Sequence, residues 1–406
     1  MSYLNYNSTS APQNHTLNIS DIGYDEVLQT RHFLGKFEIA VKKFLNAPLH
    51  SDVIITSGAS ECIANCVVWA KFANPYGTIC GSALDHSSVK ANCDNYDMHY
   101  EVFDKKIPAN CSMMCITHVS GKTGEIYDLN KFKRMMSSYA FLSDRDAAVE
   151  DNLQAAPDAH VRQFRPLVVL DATQSIDKLK IDMESMKLDA VFFSLHKIGG
   201  PQNYGVMVIN SNSRAPFKPL IAGTQQHKLR GGTLNLVPLI TAERYLKIKT
   251  LNTKLLWEHA VNILKTNSIN VIEPTLEHLH NTILIKLDTC PLGIINKLSK
   301  DKIYVGAISA CSNEEAVAKS VKEGYLRISF TDEKQLSDRI LQEIIKTIKD
   351  EQAFRLAGGY AEDDLHTDAP EHGDRFEDDV DSDIPYDLLA EEDDEEDKNE
   401  IGLDFM

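Results

Sequence analysis

The sequence lacks the marks of a secreted, membrane-bound or disulfide-stapled protein. It has no C-x-x-C pair among its eight cysteines and no apolar run near the roughly 20 residues of a membrane span. Its first residues also lack the basic-then-apolar layout of a signal peptide. We therefore expect a soluble cytoplasmic protein with reduced thiols and no membrane contact. At 406 residues and 43% hydrophobic content, the chain can bury enough surface for two folded units.

Two pairs of cysteines have the i, i+4 spacing of one helix face. Cys62 with Cys66, and Cys111 with Cys115, could together hold a zinc ion. Small apolar side chains on one helix face are far more often part of the core, however, and the usual zinc ligand spacings are missing. We expect no metal.

An excess of basic residues is missing too, and the acidic residues are concentrated at one end. From residue 360 onward, 21 Asp and Glu stand against two basic residues, a net charge of −19, which leaves +2 for the rest of the chain. Like charges repel and little apolar surface is available for burial, so segment 356–406 is expected to be disordered. It is either a solubilising extension or, through apolar islands such as Leu388 and Leu389, a docking segment. Nothing in the charge pattern favours a nucleic-acid partner.

Short apolar runs alternate with longer helical patterns along the body of the chain, which is typical of an α/β sheet with helices on its faces. A helix is expected over residues 25–46 and another through Val67 and Trp69. Strands are expected at residues 53–55, 112–117, 167–170, 190–193 and 206–209. They predict a mostly parallel sheet with functional loops at the strand ends.

The pattern changes after about residue 235. It predicts a helix at 239–266, a strand at 282–287, a helix at 292–300, strands near Ile303 and at 325–330, and a last helix at 333–349. This suits a smaller α+β domain. The expected organisation is a segment 1–20, a large domain 21–235 with a surface insertion at about 142–164, a small domain 236–355, and the acidic tail 356–406.

Two places on the large domain carry candidate chemistry. The turn Thr56-Ser57-Gly58-Ala59-Ser60 joins a strand to a helix and could bind a phosphate through exposed N–H groups, although an N-cap without a ligand has the same sequence. Asp171 follows a buried strand, and a second strand runs into Ser194-Leu195-His196-Lys197. An aspartate that keeps a pyridine nitrogen protonated and a lysine that forms an imine are what pyridoxal 5′-phosphate (PLP) requires. A snorkelling structural lysine is the alternative.

These motifs, taken in order over residues 1–350, resemble the cysteine desulfurases, the NifS-like branch of the class V aminotransferases. The matching segments are Tyr3-Leu4-Asn5-Tyr6, Thr56-Ser57-Gly58-Ala59-Ser60-Glu61, Asp85-His86, His118-Val119, Asp171-Ala172-Thr173-Gln174-Ser175, Ser194-Leu195-His196-Lys197-Ile198-Gly199-Gly200-Pro201, Arg230-Gly231-Gly232-Thr233 and Ser309-Ala310-Cys311-Ser312. The resemblance implies the PLP-dependent transferase fold, which is aspartate-aminotransferase-like, with a mostly parallel large domain and a smaller α+β domain.

The resemblance also implies where PLP lies. Its phosphate would be held by Ala59, Ser60, Ser194 and His196, with Thr233 reaching across from the second subunit of a homodimer. His86 would stack on the ring, Asp171 would pair with the ring nitrogen, and Gln174 would bond the phenolic oxygen. Lys197 would be the imine lysine.

The implied activity is the conversion of L-cysteine to L-alanine. Arg327 would clamp the substrate carboxylate, and the Cys311 thiolate would attack the substrate sulfur to give a persulfide for an acceptor or scaffold protein, as in iron–sulfur cluster supply. From the residues alone, Cys311 could be an ordinary free cysteine and Arg327 an exposed strand residue. Charge-assisted carboxylate binding suits arginine, and a polar loop suits a reactive thiol.

The chain departs from the family pattern after His118-Val119. Where the family usually has Asn-Asn-Glu, this sequence has Ser120-Gly121-Lys122. Two alternatives to a desulfurase stay open. One is a catalytically altered PLP-fold protein with an interaction or regulatory role, and the other is a related lyase acting on selenocysteine.

Overall fold

The computed structural model describes residues 2–10, 26–103, 107–108, 110–136, 166–213, 217–235, 237–240, 242–288, 290–307, 324–332 and 334–357, with the backbone alone at 26–31 and 237–238. The expected surface insertion at 142–164, the Cys311 loop and nearly all of the acidic tail lie outside these ranges.

Strands and helices are numbered along the described part of the chain. The strands are β1 Ser2–Tyr3, β2 Ser51–Thr56, β3 Thr78–Gly81, β4 His99–Val102, β5 Cys111–Thr117, β6 Leu167–Asp171, β7 Ala190–Ser194, β8 Gly205–Asn210, β9 Val271–Ile272, β10 Thr282–Leu287, β11 Ile303–Tyr304, β12 Gly306–Ala307 and β13 Gly324–Ser329. The helices are α1 Glu26–Phe44, α2 Ala59–Ala73, α3 Ser87–Asn95, α4 Lys254–Thr266, α5 Pro291–Lys300 and α6 Asp338–Leu356.

A seven-stranded sheet dominates the described large unit, in the order β2-β8-β7-β6-β5-β3-β4. The pairs from β7 to β4 are parallel, whereas β8 runs antiparallel to both β7 and β2. The mostly parallel sheet predicted from the sequence is thereby confirmed. Because β8 is reversed, β2 runs in the same direction as β5, β6 and β7, and the carboxyl ends of these four strands lie at one edge.

Helices cover both faces of this sheet, so its central strands are buried on both sides. In β6, Val168 and Leu170 pack in a cluster with Phe37 of α1, while Val169 packs in the opposite cluster with Trp69 of α2. Successive side chains of β6 therefore point into two different cores. Because neither face of the strand is exposed, its sequence is continuously apolar.

A second unit is built on the four-stranded sheet β12-β13-β10-β9, whose described strand pairs are antiparallel. Its core contains residues of α4, α5 and α6, such as Leu264, Ile294 and Ile348. Leu4 belongs to this same core and is fully buried. The segment at residues 2–10 therefore packs on the second unit: β1 pairs in parallel with β11, and its far end reaches the large sheet, where the Ser10 N–H donates to the His196 carbonyl at 3.0 Å.

The predicted strands agree with the observed ones to within a few residues, but three other predictions were wrong. The helix at 239–266 begins only at Lys254, after two short 3-10 turns at Val237–Ile240 and Ala242–Tyr245. The Lys249 N–H donates to the Asp177 carbonyl at 2.6 Å, so a tertiary contact takes a donor that a continuous helix would need. The last helix begins at Asp338 rather than 333.

The third error concerns the cysteine pairs. Cys111 and Cys115 lie on β5 rather than on a helix, and the Cys62/Cys66 pair lies on α2 as expected. All four thiols are buried and free. Among the residues that the structure describes, no helix has the length and apolar character needed to cross a bilayer.

Candidate active site

The candidate residues gather at the edge where β2, β5, β6 and β7 end. Asp171 is the last residue of β6 and Ser194 the last of β7, and a 3-10 turn at Leu195–Lys197 follows directly. Carboxyl ends of parallel strands are the usual ligand-binding edge of an open α/β sheet.

The start of α2 forms the side of the site that suits an anion. Gly58 is its N-cap, and the Ala59 N–H donates to Ser194 Oγ at 2.9 Å. A Cβ on Gly205 would lie 2.6 Å from the Gly58 carbonyl, so glycine at 205 lets β8 approach the turn closely. The helix start therefore lies against the end of β7, with backbone N–H groups available to an anion.

Glu61 fixes the orientation of this helix start. Its carboxylate accepts from the Ser57 N–H at 2.7 Å and from Arg230 Nε and Nη2 at 2.9 and 3.2 Å. These bonds lower the pKa of Glu61, although burial acts in the opposite direction. The Arg230-Gly231-Gly232-Thr233 motif is thus anchored to the anion-binding turn at Arg230, and Thr233 is exposed.

Asp171 is buried at 5% exposure and accepts from the Thr173 N–H at 2.8 Å. Burial raises its pKa, and the charges of His86 and Lys197 act against that rise. A buried carboxylate close to a lysine is well placed to hold a cationic ring nitrogen, since a positive partner would offset its desolvation.

The amine of Lys197 is held by backbone carbonyls of the segment at residues 2–10. Its Nζ donates to the carbonyls of Asn7 at 2.8 Å and Ser8 at 2.6 Å. The neighbouring His196 lies 3.2 Å from Thr9 Oγ1 through its Nδ1. The sequence did not assign these residues a role.

Gln174 lies beside the same segment. Its Nε2 donates to the Asn7 carbonyl at 2.8 Å. It also borders the loop after β5, since a Cβ on Gly121 would lie 3.3 Å from Gln174 Nε2. The departure from the family sequence at Gly121 therefore leaves room for Gln174.

Arg327, on β13, comes to this edge from the second unit. It is 5% exposed, and it donates through Nη1 to the Gly121 carbonyl at 2.8 Å and through Nη2 to Asn5 Oδ1 at 3.0 Å. Gly306 on the paired strand makes this contact possible, because a Cβ there would overlap the Asn5 side chain. The predicted exposed-strand alternative for Arg327 does not fit its burial.

Three histidines surround the site, and desolvation lowers the pKa of each. The pKa of His118 and that of His196 fall to about 4, while that of His86 is lowered with Asp171 opposing the change. His86 caps α3, with Nδ1 accepting from the Ser88 N–H at 3.2 Å. At neutral pH the rings of His118 and His196 are neutral, so they act as hydrogen-bonding or stacking groups rather than as cations.

A buried ion cluster lies behind the site. Asp177 contacts Lys178 Nζ at 2.7 Å and Lys249 Nζ at 2.8 Å, with its side chain 2% exposed. Lys178 also donates to the Gln174 carbonyl at 3.0 Å and Lys249 to the Ile198 carbonyl at 3.3 Å. The cluster therefore links the turn after β6 to the turn that carries Lys197.

The structure thus brings most predicted residues to one edge. The residues at this edge come from the α2 start, the α3 start, the turns after β6 and β7, and the second unit. They are Ala59, Ser60, His86, Asp171, Gln174, Ser194, His196, Lys197 and Arg327. Thr233 is exposed, and Cys311 lies outside the described residues. Sequence reasoning missed Asn7, although the nearby Tyr3-Leu4-Asn5-Tyr6 match marked the segment.

The residues present fit PLP. A carboxylate, an amine and a helix start meet the needs of its ring nitrogen, its aldehyde and its phosphate. Two buried polar atoms at the same strand ends, His118 Nδ1 and Thr173 Oγ1, have no hydrogen-bond partner among the described residues. A polar ligand at this edge would explain why such atoms are kept there.

Comparison with known proteins agrees with this geometry. Residues 152–338 match the aminotransferase class-V family. In fold, the chain is similar to a NifS-like protein (TM-score 0.67, 20% identity, covering 87% of this chain and all of the other) and to the NifS-like protein of Rickettsia africae (TM-score 0.64, 20% identity, 87% and 99%).

Proteins named cysteine desulfurases match the chain in sequence at low identity. A cysteine desulfurase of Cereibacter sphaeroides is 24% identical over 290 residues, which is 68% of this chain and 70% of that protein. The cysteine desulfurase NifS of Azotobacter vinelandii is 23% identical over 236 residues, 53% of this chain, and the match spans about half of that protein's length, 52%.

Fold and site therefore fit a PLP-dependent α/β enzyme, and residues 152–338 match the aminotransferase class-V family. The chain is similar, at low identity, to the NifS-like cysteine desulfurases, as the sequence motifs predicted.

Proposed function

We propose that this protein is a PLP-dependent cysteine desulfurase that converts L-cysteine to L-alanine and takes the sulfur onto Cys311. The observation that carries the proposal is the meeting of Lys197, Asp171 and the α2 start at one edge, with Arg327 entering from the second unit. A stability role alone would not require these groups to converge.

The large unit supplies the groups that bind and orient the cofactor. The Ala59 N–H and Ser194 Oγ, now bonded to each other at 2.9 Å, are the donors proposed for the phosphate, together with Ser60 and His196. Asp171 would hold the ring nitrogen, Gln174 the phenolic oxygen, and His86 would cover the ring. Bound PLP supplies an electron sink, and Lys197 is the residue proposed to attach it.

The second unit supplies the substrate contact. Arg327 would exchange its bond to Asn5 Oδ1 for the substrate carboxylate, because a guanidinium binds a carboxylate more strongly than it binds a neutral amide. The Lys197 amine is the base and acid proposed to move the substrate α-proton.

Cys311 would complete the reaction as the nucleophile. Its thiolate attacks the substrate sulfur, so an S–S bond forms and the bond from sulfur to Cβ breaks. The electron pair stays with the carbon, which takes up a proton. The balance is cysteine plus a protein thiol giving alanine plus a protein persulfide, and the persulfide sulfur would pass to an acceptor or scaffold protein.

Three further points belong to the proposal. The large domain would span residues 21–235 and the small domain 236–355; each has a core of its own, and Leu239, Ala242 and Tyr245 pack in that of the large domain. The protein would be a homodimer in which the exposed Thr233 of each subunit contacts the partner's phosphate site. It would act in the cytoplasm.

Three variants and one assay test the function. Wild-type protein mixed with PLP should gain the long-wavelength absorbance of lysine-bound PLP, and adding L-cysteine with a reductant should release equal amounts of alanine and sulfide. Lys197→Ala should lose the covalent attachment, as shown by reduction and peptide mapping, whereas the exposed Lys180→Ala should not. Cys311→Ser should keep bound PLP but lose several orders of magnitude in alanine release, as expected for a nucleophile.

The outcomes separate the candidate activities. A wild type that binds no PLP would overturn the cofactor proposal. Normal turnover by Cys311→Ser would overturn the persulfide step and favour a lyase, for which selenocysteine would be the substrate to compare.

A further inference from the structure

Asn7 forms hydrogen bonds through both its main chain and its side chain. It is 5% exposed. Its carbonyl accepts from Lys197 Nζ and Gln174 Nε2, both at 2.8 Å. Its Nδ2 donates to the Gly121 carbonyl at 3.2 Å and to Thr282 Oγ1 at 2.8 Å.

These contacts join parts of the chain that are far apart in sequence. Lys197 and Gln174 follow β7 and β6, Gly121 follows β5, and Thr282 opens β10 of the second unit. The Asn7 N–H also donates to Ser329 Oγ, on β13, at 3.0 Å. One buried amide thus fixes one of the two carbonyls that hold the Lys197 amine, the other being the carbonyl of Ser8.

The loop after β5 depends on the same residue. The Gly121 carbonyl takes a second bond from Arg327 Nη1 at 2.8 Å, so Asn7 and the carboxylate-binding arginine share one acceptor. A Cβ at 121 would lie 3.3 Å from Gln174 Nε2, which is closer than side chains normally pack. A larger residue at 121 would require Gln174 to shift by a few tenths of an ångström.

We propose that Asn7 is a positioning residue that sets the Lys197 amine and the Gly121 loop relative to the second unit. The loop after β5 has no side chain at Gly121. The side-chain amide of Asn7, from the segment at residues 2–10, bonds the loop there instead. The proposal rests on the proposed function, since it assigns Asn7 to the same site. Its physical basis is that a buried amide with two donated bonds has a single favourable orientation.

The side chain can be tested separately from the carbonyl. Asn7→Asp has the same shape but cannot donate to the Gly121 carbonyl, and it places a charge against that oxygen. Thr282→Val breaks the bond between Asn7 Nδ2 and Thr282 Oγ1 at its other end, because it removes the accepting hydroxyl with little change in volume. Thr282→Ser keeps the hydroxyl. The exposed Asn212→Asp is the matched control for the amide-to-acid change.

The readout is the reactivity of the Lys197 amine in the full chain without added PLP. Trace reductive methylation followed by peptide mass spectrometry gives the labelling of Lys197 relative to the exposed Lys180. Thr282→Val should raise this ratio by about fivefold, the factor expected for losing one ordinary hydrogen bond. Asn7→Asp, which loses both donated bonds, should raise it by at least as much. The double variant should rise no further, because both changes break the same link. Thr282→Ser and Asn212→Asp should keep the wild-type ratio.

Two results would overturn the proposal: an unchanged ratio in folded Asn7→Asp, or effects of the two changes that multiply. If Asn7→Asp does not fold, as judged by circular dichroism, the comparison of Thr282→Val with Thr282→Ser decides. If the wild type binds no PLP, the proposed function fails, while the labelling still decides the role of Asn7. In a PLP-binding protein, Asn7→Asp should also weaken PLP binding by about the same factor.

Discussion

His118 connects the acidity of the solution to the stability of the large sheet. It is 5% exposed and its Nδ1 has no hydrogen-bond partner among the described residues, so burial lowers its pKa from 6.5 to about 4. Between these two values the unfolded chain binds a proton that the folded chain does not. The contribution of the neutral, buried His118 to the stability of the fold is therefore fully present above pH 6.5, and it is lost as the pH falls toward 4.

We expect His118→Gln to remove part of this acid sensitivity. The loss in unfolding free energy between pH 7 and pH 4.5 should be smaller in the variant by about 2–3 kcal/mol. Urea unfolding at both pH values measures it. The neighbouring Asp85, whose pKa burial raises to about 6, acts with the opposite sign, but it is common to both proteins and cancels. His50→Gln, at an exposed turn, is the control, and an unchanged pH dependence in His118→Gln would contradict the explanation.

Single residues differ in how far their positions can be predicted from sequence. The positions of Asp171 and Lys197 were predictable, because each follows an apolar strand whose end the pattern locates. Asn7 was not, because its importance comes from a carbonyl and an amide that meet partners far along the chain. Gly121 was noticed as a departure, but the Gln174 contact that explains it exists only in three dimensions.

The turn after β6 owes its shape to the buried ion cluster of Asp177. Removing the carboxylate would leave Lys178, with a 6% exposed side chain, and Lys249, with a 25% exposed one, facing each other without their shared anion. Loss of one partner from a buried pair is strongly destabilising because the remaining charge stays desolvated.

We therefore expect Asp177→Ala to lower the unfolding free energy by about 3–5 kcal/mol. Urea unfolding at neutral pH checks this, with Asp350→Ala on the exposed face of α6 as the control. A loss below about 1 kcal/mol, the usual value for an exposed pair, would mean that the cluster contributes little.

The same cluster shows why some elements were predictable and others were not. β5, β6, β7 and β10 are short apolar runs bounded by polar turns, so their pattern locates them. The helix predicted at 239–266 failed because Lys249 is bound to Asp177, a contact from a distant element that local periodicity does not contain. β3, α3 and β4 were missed, since they are short and α3 buries only Val89 and Cys93.

At the scale of the assembly, Thr233 is exposed beside Gly232, whose φ of +100° is a conformation that favours glycine. Arg230 anchors one end of this turn to Glu61, so the threonine projects from a fixed base. A homodimer that contributes Thr233 to the partner's phosphate site would use this exposed position.

We expect sedimentation to show a dimer at micromolar concentration. Thr233→Glu should weaken PLP binding at least tenfold, because it places a negative charge near the phosphate, and the stability of the isolated fold should change little at this exposed position. Thr250→Glu is the exposed control. Tight PLP binding by a monomer, or by Thr233→Glu, would contradict the shared site.

The bond between the Asn7 N–H and Ser329 Oγ joins residues 322 positions apart. Residue 7 leaves the ribosome long before residue 329, so during synthesis the segment that holds Lys197 has no β13 to rest on. Loop closure over such a separation is slow compared with local helix formation. A nascent chain cut short before β13 could have its large sheet in place and still lack a seated lysine, which would make the site one of the last parts of the protein to mature.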